Sequence, residues 1–165
     1  MIVTAEGRRL LVRVLRRLTL DEVRGRIDAL EKRQGMTFEE FEELYLEKRV
    51  DRTVVDAYFE WASLVDAYRG YVEGGELDYT VEEIQDLNPK EVALLTPKRV
   101  ELLYGLAGLR VKSINDLAQR VHRDVKNVYQ DLQALKKLGF VTFKRKGKRN
   151  LVPEILVEEI TFLVR

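Results

Sequence analysis

Residues 113–149 read SINDLAQRVHRDVKNVYQDLQALKKLGFVTFKRKGKR, and this stretch decides the fold of the C-terminal part of the chain. Ser113 and Asp124 each precede apolar residues at helical spacing. A short polar side chain in that place caps a helix by accepting a hydrogen bond from a free backbone N–H. The sequence therefore predicts two helices on either side of a tight turn at 122–123, the second ending at Gly139. Two such helices form a helix-turn-helix, in which the first braces the second.

The flanking residues extend this arrangement into a larger module. Thr96 followed by Pro97 predicts another helix start, because proline at the first helical position loses no hydrogen bond. After Gly139 the pattern changes to FVTF, KRKGKRN and LVPEILVEEITFLV, which predicts a β-hairpin with a basic tip. Three helices and such a hairpin make a winged helix, which we place at residues 89–165.

The outer face of the second helix of the pair points to nucleic acid. Lys126, Asn127, Gln130, Ala134 and Lys137 are expected opposite the apolar stripe, with no acid among them. In the major groove of DNA, Asn and Gln pair with adenine edges and Lys or Arg with guanine, while cations on a hairpin tip suit the backbone or the minor groove. The alternatives are a solvated charged face and, for Tyr129, packing on the core rim. The predicted DNA-binding residues are Arg123, Lys126, Asn127, Tyr129, Gln130, Lys137, Lys144, Arg145, Lys146, Lys148 and Arg149.

The stretch quoted above resembles the winged-helix segment of MarR-like and GntR-like regulators. With TPKRVELLYGL before it, the sequence is similar to archaeal winged-helix DNA-binding proteins, some of which are described as antitoxins encoded beside a small toxin. The resemblance covers about the last 70 residues. It implies that residues 124–138 read the major groove and that residues 144–149 form the wing. Some winged helices bind RNA or proteins instead, so the fold alone does not fix the ligand.

Charge is distributed unevenly, although the whole chain carries only +1. Residues 1–35 carry a net charge of +4, residues 36–95 carry −11 and residues 96–165 carry +8. A field of one sign on a small domain attracts polyanions, and a surplus of acids repels them. The middle and C-terminal segments therefore suit different partners.

The N-terminal region, residues 1–88, is predicted to be mainly helical, with helices over 19–34, 37–48 and 53–71. Residues 2–16 are expected to form a strand or a short hairpin, and 77–87 a strand or a helix. The helix starts rest on Thr or Ser followed three residues later by an acid, a capping-box pattern. These pairs are Thr19/Glu22, Thr37/Glu40, Thr53/Asp56, Thr80/Glu83 and Ser113/Asp116.

Aromatic side chains are dense in this acidic region. Their default place is a core, but with the surplus of acids they also suggest a dimer interface or a docking surface for a basic protein partner. A solvated acidic face is equally compatible with the pattern. The aromatic residues concerned are Phe38, Phe41, Tyr45, Phe59, Trp61, Tyr68 and Tyr71.

Arginines alternate with aliphatic residues near the N-terminus. They either add a phosphate contact or simply mark a half-exposed strand, for which such alternation is typical. These arginines are Arg8, Arg9, Arg13, Arg16 and Arg17.

The sequence carries no constellation typical of an enzyme. There is no cysteine and His122 is the only histidine, so thiolate zinc sites, thiol nucleophiles and a Ser/His/Asp triad in a pocket are not expected. P-loop, GxGxxG and HExxH motifs are missing. We expect no cofactor and no metal. The N-terminus lacks the apolar core of a signal peptide and no long apolar run follows, so we expect a cytoplasmic protein without a membrane partner.

These observations predict a mainly α-helical protein with a small β-wing (α+β). Its residues 1–88 would serve dimerisation or partner binding, and residues 89–165 would bind double-stranded DNA. The expected function is that of a sequence-specific, homodimeric transcription regulator, a repressor that can be autoregulatory. The alternative is an antitoxin whose acidic N-terminal region neutralises a basic partner toxin.

Overall fold

The computed structural model describes residues 9–148 and 150–164, and its mixed α+β architecture confirms the predicted fold class. In chain order its helices and strands are β1 (Leu10–Arg17), α1 (Leu20–Gln34), α2 (Phe38–Leu46), a 3-10 helix (Arg52–Val54), α3 (Val55–Gly74), β2 (Thr80–Leu87), α4 (Pro89–Leu94), α5 (Pro97–Gly108), α6 (Ile114–Arg120), α7 (Val125–Lys137), β3 (Val141–Lys146), β4 (Asn150–Ile155) and β5 (Val157–Leu163).

Contacts divide the chain into two compact units. One, here called the mixed unit, takes the described residues up to Arg16 and those from Val81 onward; the other, the helical unit, is Arg17–Thr80. The division differs from the domain boundary predicted at 88/89. It differs because Val12, Val14 and Leu87 are buried in the same apolar cluster as the C-terminal helices, although two of them are far away in sequence.

The sheet of the mixed unit joins the two ends of the described chain. Its strand order is β2-β1-β5, and β1 runs antiparallel to β5 with Val12 opposite Phe162 and Val14 opposite Ile160. The N-terminal segment, predicted as a strand or hairpin over 2–16, is thus a single strand from Leu10 within the described residues; positions 2–8 lie outside them. β5 continues the basic hairpin in sequence but pairs with β1 instead.

The basic hairpin itself is a separate two-stranded sheet. β3 and β4 pair antiparallel from Val141 opposite Ile155 to Lys146 opposite Asn150. Its tip therefore holds Gly147, where the backbone has a left-handed φ of 71° that favours glycine.

Arg9, directly before β1, and two arginines of β1 pair with acids of β2. The distances are 2.8 Å for Arg9 Nε to Asp86 Oδ1, 3.0 Å for Arg13 Nε to Glu82 Oε1 and 3.0 Å for Arg16 Nε to Glu83 Oε2. Of the two interpretations of the N-terminal arginines, the half-exposed strand agrees with these pairs, since each cation is engaged by a carboxylate. Arg8, named with them, lies outside the described residues.

Two of the predicted capping pairs are wrong. Thr80 begins a strand, because pairing with β1 decides the conformation of this segment more strongly than a local capping pattern does. Thr53 lies inside the 3-10 helix, which Asp51 caps by accepting from the Thr53 N–H at 3.2 Å. A helix was also missed: Asn88, the last residue of the predicted N-terminal region, caps α4 in a capping box.

The helical unit has its own core. Trp61 and Leu64 of α3 and Val23 of α1 are fully buried, and the Phe41 ring lies 5.1 Å from that of Trp61, centroid to centroid. Thr19 and Thr37 form the capping boxes that the sequence predicts for α1 and α2. In the two described ranges, no helix combines the length and the apolar character needed to cross a bilayer.

Because Val14 is fully buried in the core of the mixed unit, we predict that Val14→Ala lowers the free energy of unfolding by about 2 kcal/mol. The loss should also speed amide exchange in α7, which lies more than 100 residues away in sequence but in the same core. Arg13→Ala, on the same strand with a half-exposed side chain, is the control and should leave α7 unaffected. Unchanged exchange in α7 of the Val14→Ala protein would contradict the division into units.

Candidate nucleic-acid interface

The turn between α6 and α7 is built by backbone hydrogen bonds. The His122 N–H donates to the Gln119 carbonyl at 3.2 Å and the Arg123 N–H to the Ala118 carbonyl at 2.9 Å, the pairing that ends many helices. His122 occupies the left-handed position of this motif, with φ 55°, where glycine is more common. Asp124 then starts α7 by accepting from the Asn127 N–H at 3.3 Å, as predicted.

The inner face of α7 determines which side chains its outer face presents. Val128, Leu132 and Leu135 are fully buried, so the opposite side of the helix faces away from the core. Ala134, predicted on the outer face, is only 6% exposed and belongs to the buried side. The outer stripe consists of Lys126, Gln130, Gln133 and Lys137, which follow one another at intervals of three or four residues.

Gln133 belongs to this stripe although it was not predicted there, whereas Asn127 was predicted in the stripe but does not belong to it. Gln133 is half-exposed and stands between Gln130 and Lys137 along the helix. The interval of seven residues from Lys126 to Gln133 is the signal that would have found it. Asn127 is exposed but lies four residues before Asp131, on the flank that contains this acid.

Arg123, predicted as a DNA-binding residue, lies in the turn and pairs with Asp131 of α7. Its Nη2 is 2.5 Å from Asp131 Oδ2, and Arg99 of α5 donates from Nε to Asp131 Oδ1 at 2.9 Å. The side chain of Arg123 is 21% exposed, that of Arg99 is 23% exposed and that of Asp131 is 13% exposed. Burial favours a higher pKa for Asp131, but the hydrogen bonds from the two guanidinium groups outweigh it and hold the pKa below its ordinary value.

Tyr129 and Lys136 connect α7 to the basic hairpin. The Tyr129 ring stacks on Phe143 of β3 with centroids 6.4 Å apart, and Lys136 Nζ lies 5.4 Å from the centroid of the same ring. Tyr129 nevertheless remains 43% exposed, so it both packs on the rim and borders the outer stripe. Lys136 is a further cation of this surface that the sequence analysis missed.

The basic hairpin presents its cations unequally. Lys144 pairs with Glu154 of the neighbouring strand at 3.2 Å, because the two side chains lie on one face of the hairpin. Arg145, Lys146 and Lys148 are exposed around the tip. Arg149, the remaining residue predicted here, lies outside the described residues.

A groove of about 360 Å³ separates the hairpin from the two helices. Ser113 and Asn115 at the start of α6, Lys126 and Tyr129 of α7, and Asn150 of β4 line it together with three aliphatic side chains. Ser113 itself caps α6 by accepting from the Asp116 N–H at 3.0 Å. Asn115 and Asn150 were not predicted as part of the surface, because only the tertiary fold brings them beside α7.

The acids near this surface are engaged locally. Asp116 accepts hydrogen bonds from the Lys112 N–H at 2.8 Å and from Arg120 at 3.1 Å, and these bonds hold its pKa below the ordinary value. Within residues 9–148 and 150–164, no three acidic or histidine side chains form a group that would hold a metal ion. The surface is therefore a patch of amides, cations and one tyrosine.

Comparison with known protein families gives a match in the C-terminal part of the chain. A family model described as HVO_A0114 matches residues 94–162, which is less than half of the chain. The matched residues span α5, α6, α7 and the basic hairpin. No curated protein matches the chain. No solved structure matches it either.

The lowered pKa of Asp131 gives a prediction for stability against pH. The ionised carboxylate stabilises the fold above the ordinary pKa of 3.8, and this stability is lost as the pH falls through the lowered value in the folded state. We predict that Asp131→Asn lowers the free energy of unfolding at neutral pH by about 1.5 to 3 kcal/mol, the range for a hydrogen bond to a charged group. Urea titrations from neutral to acid pH should show a smaller acid-induced loss for this variant than for the wild type.

Asp66→Asn, which removes an exposed carboxylate from α3, is the control and should follow the wild-type pH curve. If Asp131→Asn also followed that curve, the ion cluster would contribute nothing to the acid sensitivity.

Proposed function

We propose that the protein is a sequence-specific double-stranded DNA-binding regulator of transcription, and that the surface formed by α7 and the basic hairpin is its DNA-binding site. In this interpretation α5, α6, α7 and the hairpin constitute a winged helix. The observation that carries the proposal is the outer stripe of α7. It presents two lysines and two glutamines, while the one acid of the helix, Asp131, is turned away and paired.

The side chains of the stripe match the chemistry of base edges. Gln130 and Gln133 can each donate to and accept from an adenine in the major groove, and Lys126 and Lys137 suit guanine or a neighbouring phosphate. With α7 in the major groove, the groove between α7 and the hairpin lies where a sugar-phosphate strand would pass. Its Ser113, Asn115 and Asn150 side chains are hydrogen-bonding partners for phosphate oxygens.

The tip of the hairpin would add affinity more than sequence preference. Arg145, Lys146 and Lys148 are exposed cations that release counterions from the duplex when they neutralise phosphates. The mixed unit as a whole carries 20 basic and 12 acidic side chains, and its net charge of +8 also attracts DNA.

Regulation follows from occupancy of the site. A homodimer would place two copies of α7 in successive major grooves about 34 Å apart and exclude other proteins from the promoter. We accordingly propose a cytoplasmic repressor that acts as a homodimer.

The DNA-binding proposal predicts different effects for the stripe and for the hairpin tip. Gln130→Ala should weaken binding to the preferred duplex about tenfold and leave a scrambled duplex unchanged, because a lost pair of base contacts affects specific binding alone. Lys148→Ala should weaken binding to both duplexes equally and reduce the salt slope by about 1. Selection from a random duplex library, followed by fluorescence anisotropy over a salt series, measures both.

Matched controls come from the same chain. Gln34→Ala in α1 removes a glutamine and Lys90→Ala in α4 an exposed lysine, both outside the proposed surface. Gln34→Ala should leave discrimination between the duplexes unchanged, and Lys90→Ala should leave the affinity for both duplexes and the salt slope unchanged. Absence of any preferred sequence for the wild type would overturn the proposal of sequence-specific binding.

A second candidate function is docking of a basic protein, such as a toxin, on the helical unit. It is favoured by one observation: Leu46 and Phe59 are 69% and 58% exposed beside a stack of Tyr45 on Tyr58 with centroids 3.9 Å apart. Glu42 accepts a hydrogen bond from the Tyr58 hydroxyl at 3.1 Å, and the helical unit carries 9 basic and 16 acidic side chains. Exposed apolar side chains within a negatively charged unit suit a basic partner with its own apolar anchor.

This candidate predicts that Leu46→Ser with Phe59→Ser abolishes co-purification with a co-expressed basic protein encoded by a neighbouring gene, because both variants remove apolar contact area. Val72→Ser changes an equally exposed aliphatic residue of α3 and should retain the complex. Size-exclusion chromatography of the co-expressed pair measures the outcome. A complex that survives the double substitution would locate the partner elsewhere.

A further inference from the structure

Asp131 links three segments of the mixed unit. It is the only acid of α7, and its two carboxylate oxygens bind Arg99 of α5 and Arg123 of the turn before α7, at 2.9 and 2.5 Å. Arg99 also donates from Nη1 to the Leu94 carbonyl at 3.2 Å. The cluster therefore connects the end of α4, the first turn of α5, the turn and the middle of α7.

An acid at this position has an electrostatic cost for a DNA-binding helix. A carboxylate on the helix repels the phosphates that approach it, and it withdraws two guanidinium groups from phosphate binding. Packing alone does not require the charge, since an apolar residue of similar size would fill a largely buried position. What the charge adds is geometry, because the planar guanidinium donors fix the direction of the bonds they make to a carboxylate.

Building on the proposed function, we propose that Asp131 is a positioning residue that gives the protein sequence discrimination at the expense of overall DNA affinity. It holds Arg123 and Arg99 against the body of the mixed unit. It thereby fixes the angle at which α7 presents Gln130 and Gln133. It also keeps Arg123, the cation next to the outer stripe, from binding phosphates of any DNA sequence.

The proposal predicts effects of opposite sign on affinity and discrimination. Asp131→Asn adds one unit of positive charge and releases two arginines, so a scrambled duplex should bind several-fold more tightly and with a steeper salt slope. The ratio of preferred to scrambled affinity should nevertheless fall about tenfold, because α7 is no longer held in register with the base edges. A residue with only an electrostatic role would raise both affinities equally and leave this ratio unchanged.

Asp124→Asn is the matched control. It removes one negative charge from the start of the same helix and retains the cap, because asparagine accepts the same hydrogen bond as aspartate. We expect this variant to bind both duplexes more tightly by the same factor. If discrimination is unaltered in Asp124→Asn and reduced in Asp131→Asn, the reduction comes from the position of Asp131 and not from the loss of one negative charge.

Arg99→Gln keeps the proposal testable if Asp131→Asn does not fold. Arg99 lies on α5, so its loss should reduce discrimination beyond the uniform weakening that one lost cation causes. The double variant Arg99→Gln with Asp131→Asn should lose less than the sum of the two single effects, because both break one cluster.

The experiment is anisotropy of the full-length protein and each variant on the selected and the scrambled duplex over a salt series. Folding is checked by circular dichroism. Wild-type protein that binds neither duplex overturns the proposed function and the positioning role together. Wild-type discrimination that persists in folded Asp131→Asn, or in folded Arg99→Gln, overturns the positioning role alone.

Discussion

The burial of the inner face of α7 is the constraint on which the rest of the mixed unit depends. Val128, Leu132 and Leu135 are withdrawn from water against a cluster that includes Val12 and Val14 of β1. Burying an apolar side chain of this size contributes about 1.5 to 3 kcal/mol, so rotation of α7 about its axis would expose several such residues at once. The outer stripe is therefore fixed by the core behind it, and the hairpin is fixed in turn through Phe140 and Val141, which are buried in the same cluster.

Electrostatic pairing then decides which cations remain available for a ligand. The acids of β2 engage Arg9, Arg13 and Arg16, Asp131 engages Arg99 and Arg123, and Glu154 engages Lys144. The more exposed of these pairs, such as Arg9–Asp86 and Arg13–Glu82, contribute little to stability, but every pair neutralises a cation that would otherwise attract phosphate. Lys126 and Lys137 of the outer stripe and Arg145, Lys146 and Lys148 of the hairpin tip are exposed. The net charge of a segment does not show this, because it counts paired and available cations alike.

The two units carry net charges of opposite sign. The mixed unit carries +8 and the helical unit −7, because the basic N-terminal strand belongs with the C-terminal helices. One chain thus contains a surface suited to a polyanion and a separate unit whose exposed aromatic and aliphatic side chains lie among acids. Both proposed functions are compatible in a single protein, since they use different units and opposite charges.

Elements that depend on neighbours within a few residues could be predicted from the amino-acid sequence alone. The caps at Ser113 and Asp124, the end of α7 shortly before Gly139 and the basic hairpin were predictable because each involves local hydrogen bonds or a local apolar period. Tertiary structure decided the features that depend on distant partners: the inward orientation of Arg123, the burial of Ala134, and the strand that starts at Thr80. Arg123 is turned inward in a cluster that includes Arg99, 32 positions before Asp131, and β2 pairs with β1 across the 67 positions between Arg16 and Glu83. No local pattern records such a pairing, because its free energy arises only when the whole core has assembled.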